Sequence, residues 1–170
     1  MPDSPLGDRD RDWAGRPRSS RPRDALGRPL PRGATGVPRP PEDRPLAPAE
    51  TVAEADRLLA AGRPFAAHEV LETAWKAAPA AERELWRALA QVAVGLTHLQ
   101  RGNHRGAFAL LRRGANGLAP YAGAPPYGVD VAGVRAVAGT LADQLADQSR
   151  DGGQDGGPVS IPVVRLRAAP

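Results

Sequence analysis

Apolar positions recur with a helical period through the middle of the chain, and the breaks between runs are sharp. Val52, Ala55, Leu58 and Leu59 mark the apolar face of a first helix predicted from Pro48 to Ala61. Pro48 suits its first turn, where a missing N–H costs nothing, and Glu50, Glu54 and Asp56 favour its N-terminal half through the helix dipole. Gly62 closes it, and Pro64 opens the next helix two residues later. So short a connection predicts an antiparallel helical hairpin. The second helix runs from Pro64 to about Ala78, where Pro79 stops it. On it Phe65, His68, Leu71, Glu72 and Trp75 share one stripe at about 100° per residue. The third runs from about Ala81 to Arg101. It carries no charge from Ala88 to Leu99, which predicts the central, most buried helix. Gly95 inside it costs about 1 kcal/mol relative to Ala, so a close backbone contact is expected there.

Gly102-Asn103 ends the third helix, and Asn103 is placed to cap a fourth, running to about Leu118. His104, Phe108, Leu111, Ala115 and Leu118 mark one of its faces. A Pro/Gly-rich loop spans Ala119 to Gly128 and contains Tyr121 and Tyr127. Asp130 caps a fifth helix carrying Val131, Val134, Ala138, Leu141 and Leu145, which ends near Ser149. The expected fold is all-α: a compact bundle of about five helices over residues 48–150.

Outside this block the pattern disappears. Residues 1–47 are dominated by Arg, Pro, Asp and Gly without apolar periodicity, and read as a disordered leader. Asp151 to Gly157 reads as a flexible linker. Within 151–170, the run from Val159 to Leu166 is extended, and Pro158 and Pro162 make it a poor sheet member. It is expected to lie as a strand-like tail across the bundle.

Charge follows the same division. Residues 1–47 hold ten Arg against seven Asp/Glu, a balance of +3; residues 48–150 hold eleven Lys/Arg against ten Asp/Glu, a balance of +1. Nucleic-acid binding is therefore not expected of the helical domain. The Arg-rich leader keeps it open as an arm for RNA, DNA or an acidic partner. With no cysteine, thiolate metal sites and disulfides are excluded. No apolar run reaches the roughly 18–20 residues of a membrane span, and none of signal-peptide type opens the chain. No membrane association and a cytoplasmic location are the expectation, with homo-oligomerisation left open.

The chemistry is concentrated in two polar interruptions of apolar stripes. On the second helix, His68 and Glu72 lie one turn apart between Phe65 and Trp75. On the third, Gln91 and His98 share a stripe with Gly95. Antiparallel packing of these helices should bring His68 towards His98, and Glu72 towards Gly95 or Gln91. Three readings follow. The cluster locks helix register through hydrogen bonds. Alternatively His68, Glu72 and His98 hold a divalent metal ion through nitrogen and oxygen. Or Glu72, its pKa raised by burial, works with His68 on a small substrate. The run His68-Glu69-x-x-Glu72 departs from the zinc-protease signature, which ends in His, and Glu69 points about 100° away from His68. Elsewhere, Trp86 reads as core or an interface patch, His104 as a surface residue, and Arg112-Arg113 as a solvated face.

Phe65-x-x-His68-Glu69-x-x-Glu72-x-x-Trp75, followed by a central helix with Gln91 and His98, then Arg101-Gly102-Asn103 and Gly106-Ala107, resembles the bacterial and archaeal domain-of-unknown-function 309 family. The hallmark spacing of His, Glu and Trp or Tyr falls on His68, Glu72 and Trp75, and the resemblance covers roughly residues 50–145. It implies a compact all-helical domain of unestablished function, with metal binding through the His and Glu as a suggestion. The function expected is thus that of a small helical protein with a His/Glu site, open to a divalent metal. The alternatives are a non-enzymatic interaction module and a metal-dependent hydrolase-like enzyme.

Overall fold

The computed structural model describes residues 21–38, 46–150 and 159–168. Its five α-helices are α1 (Pro48–Ala60), α2 (Pro64–Ala77), α3 (Arg83–Gln100), α4 (His104–Gly117) and α5 (Val131–Arg150), with two short 3-10 turns between α4 and α5. There is no strand among the described residues, and none of the helices there is long and apolar enough to cross a membrane. The remainder of the expected leader and the Gly/Asp linker lie outside the described residues.

The termini behave as their residues dictate. Glu50 reaches back to the Ala47 amide ahead of Pro48 (3.1 Å). Asn103 Oδ1 accepts from the Gly106 amide and Asp130 Oδ1 from the Gly133 amide, both at 2.9 Å, so each side chain satisfies a first-turn donor.

Each helix packs on the next, and α3 lies between α2 and α4. Eleven of its 18 residues are buried, as its charge-free run requires. Trp86 belongs to this core and stacks on Tyr127. The α2–α3 pair is antiparallel: Gln100, at the end of α3, donates to the Gly62 carbonyl just ahead of α2 (2.9 Å). The expected close contact at Gly95 is made with α4. A Cβ there would stand 2.8 Å from Leu111 Cγ, and one on Gly114 would stand 2.9 Å from the Ala88 carbonyl oxygen.

Two peripheral segments fasten onto this frame. The tail crosses the bundle, with Val164 and Leu166 buried. Its anchor is Asp56, a charged residue of α1 only 5 % exposed. Asp56 accepts from the Leu166 amide (2.6 Å) and from Arg165 through Nε and Nη2 (3.1 and 2.8 Å). The Leu166 carbonyl in turn accepts from the Asp130 amide at the start of α5 (2.7 Å). At the other end lie residues 21–38 of the expected leader. They form a turn-rich segment whose tip, Gly27, rests on the Phe65 ring. Apolar periodicity carries no trace of this, because the attachment is made by backbone and guanidinium groups.

Candidate functional site

The site is built on α2. Pro64 sets its first turn, and the face holding Ala67, Val70 and Leu71 enters the core. The motif residues occupy its border. Phe65, His68, Glu69, Glu72 and Trp75 are all half-buried, with Trp75 packed against the core edge. Side chains four apart on a helix are neighbours, and the polar ones form a ladder. His68 Nε2 lies 3.7 Å from Glu72 Oε2, and Lys76 Nζ lies 3.1 Å from Glu72 Oε1. The first spacing is too long for a hydrogen bond; the second is a direct ion pair. The His68 ring tilts against Phe65, with centroids 5.9 Å apart, and its Nδ1 is buried without a hydrogen-bond partner.

His98 does not join this pair. Asn103 Nδ2 lies 2.8 Å from His98 Nδ1, and with the amide donating, the imidazole keeps its proton on Nε2. The turn that ends α3 thus supplies His98 with a local partner. What reaches the motif from this end of the bundle is Arg101, the residue that caps α3, whose guanidinium sits over the Phe65 ring at 5.7 Å. Arg23, from the N-terminal segment, lies over the same ring at 5.6 Å. Gln91 stays half-buried along α3. Among the described residues no group of three or more His, Asp or Glu side chains is gathered as a metal site would need. The expected convergence of His68, Glu72 and His98 therefore gives way to a two-residue pair within a single helix. Register explains the difference: antiparallel packing does bring the end of α3 to the start of α2, but the side chain at the contact is Arg101.

Burial lowers the His68 pKa; Glu72 opposes this and Lys76 adds to it. The His98 pKa is also lowered, by burial first and then by the Arg101 charge. An imidazole with a depressed folded pKa is protonated first in the unfolded chain. Its contribution to stability is therefore full above the ordinary value of about 6.5 and declines as pH falls from there through the lowered value. Thermal melts should show a smaller loss of Tm between about pH 7.5 and 5 for His68→Gln than for the wild type. Equal losses would show that His68 does not titrate as its burial requires.

Residues 52–110 match the family model described as a domain of unknown function (DUF309), which bears out the resemblance carried by His68, Glu72 and Trp75. The match takes in α1 from Val52 onward, α2, α3 and the first half of α4, and leaves α5 and both peripheral segments outside. No curated protein and no solved structure matches the chain.

Two residues make contacts that their positions in the sequence did not predict. Arg101 reads as the last residue of the third helix, with nothing to mark its reach to Phe65. Asp56 did carry a signal: it sits on the apolar stripe of α1, four residues after Val52 and three before Leu59.

Proposed function

We propose that the helical domain is a non-enzymatic interaction module that recognises its partner with the motif face of α2. The reading is carried by one observation. The polar pair lies half-buried between two aromatics, His68 being 22 % and Glu72 34 % exposed, and among the described residues no further His, Asp or Glu gathers with it. Such a face offers apolar area from Phe65 and Trp75, the exposed edge of the His68 imidazole, and a carboxylate. Those are the ingredients of a small recognition hot spot.

The test is affinity capture from the source cells with wild type, His68→Ala and Glu72→Gln, each first checked for an unchanged Tm. The same specific partner should be retained by the wild type and lost from both variants. An identical captured set for all three would overturn the reading.

A second reading keeps a divalent ion on the same pair. It is favoured by the 3.7 Å separation of Nε2 and Oε2, near the roughly 3.4 Å between neighbouring ligands bonded to zinc at about 2.0–2.1 Å. His68 and Glu72 fit as two ligands, and the others would come from outside the motif. Calorimetry with zinc alone then predicts binding that fails in His68→Ala and in Glu72→Gln and persists in His98→Ala. Nothing among the described residues supplies the third ligand of a hydrolase-like centre, so no reaction is proposed.

A further inference from the structure

The segment 21–38 is held differently from the described helices. Its own turn is well braced. Asp24 Oδ1 accepts from the Leu26 and Arg28 amides (2.9 and 2.8 Å), the Asp24 amide donates to the Arg28 carbonyl (3.0 Å), and Arg23 Nη1 donates to the Gly27 carbonyl (2.7 Å). At the tip Gly27 has φ +72°, a conformation that side chains disfavour. The tip is then read by the helices. Arg101 donates from both Nε and Nη2 to the Leu26 carbonyl, the Nε bond being 2.8 Å. Gly27 lies so close to Phe65 that a Cβ on it would intrude on the ring.

Its apolar anchorage is shallow: Leu26, Leu30 and Val37 are only half-buried, Val37 lining a small cleft beside Phe65 and Ala66. Gly27 alone of this segment is buried, and no apolar side chain from it enters the core. A forked guanidinium on one carbonyl, a glycine on an aromatic face and a pre-formed turn make a peptide-recognition contact. They do not make a core, and a surface segment without buried side chains is of the kind that opens locally.

We propose that Phe65 and Arg101 form a docking site for a peptide turn, and that residues 21–38 are its ligand in cis, a displaceable cover on the edge of the motif face. The chemistry recognised is a backbone carbonyl followed by a glycine of positive φ. This deepens the interaction reading by naming what must leave before a partner approaches Phe65. Its test reads docking alone, so the two stand or fall separately.

The experiment uses the full chain and a fluorescein-labelled peptide of residues 21–38. Gly27→Val in the protein releases the cis segment and leaves the helices untouched, which an unchanged Tm verifies. The peptide, with its native glycine, should bind this variant at least about tenfold more tightly than the wild type, where the tethered copy competes at high effective concentration. Binding should be lost when Arg101→Ala is added to the protein, and also when Gly27→Val is placed in the peptide instead, which leaves the helices intact. Equal affinity for wild type and Gly27→Val, or no binding to Gly27→Val, would overturn the proposal.

Discussion

Asp56→Ala is expected to lower the Tm by about 5–10 °C and to release the tail. Three hydrogen bonds end on this carboxylate, two from Arg165 and one from the Leu166 amide. Hydrogen bonds to a charged group contribute about 1.5–3 kcal/mol each when buried. The Arg165 pair must be discounted, because that side chain is 59 % exposed and solvent screens it. The Leu166 amide is buried and would lose its partner outright. A net loss of about 2–3 kcal/mol follows, and each kcal/mol moves Tm by roughly 2–4 °C at this chain length. Arg165→Ala should cost about 1 kcal/mol or less, and Asp56→Asn should fall between, since its carbonyl still accepts from the amide. Hydrogen exchange at residues 159–168 is the direct readout. Tail amides in Asp56→Ala that stay as protected as in the wild type would contradict the anchoring role.

Gly95→Val is expected to destabilise by about 2–3 kcal/mol, although valine has the better helix propensity. A Cβ at position 95 would stand 2.8 Å from Leu111 Cγ and 3.1 Å from the Leu111 amide nitrogen. The side-chain atom can swing away; the backbone nitrogen can move only if α4 moves. Gly114 has the same constraint from the other helix, so the two glycines let α3 and α4 approach closely. Gly139 provides the opposite case. Nothing lies within 4 Å of a Cβ there, so Gly139→Ala should stabilise by about 1 kcal/mol through helix propensity alone. Chemical denaturation of both variants checks the contrast, and equal signs would show that the α3–α4 contact is looser than its geometry.

These results separate what was legible in the residues from what was not. Helix positions were legible, because apolar period, Pro at helix starts and Asn103 and Asp130 as caps are local signals. So was the need for a close contact at Gly95, though not that α4 would make it. The tail's path over the bundle was readable from its prolines and its extended pattern, while its anchor was passed over. Asp56 favours the helix dipole of α1, but its place on the apolar stripe also puts it among buried positions. The site was half legible. His68 and Glu72 do meet on α2, since four-residue spacing guarantees it. Their expected partner was misplaced because periodicity assigns a face but not the side chain reached across a helix pair. His98 found Asn103 five residues away, and Arg101 took the contact. The segment 21–38 had no apolar period to read, and polar docking of that kind leaves none.

The His68–Glu72 pair is made within α2 and is not shared with His98. Imidazole NMR titration of His68, in the wild type and in His98→Ala, tests it most directly. The midpoint should lie below the ordinary value in both proteins, unchanged by removing His98 and moved upward by Lys76→Ala, which deletes a nearby positive charge. A His68 midpoint at or above the ordinary value, or one that shifts when His98 is removed, would contradict it.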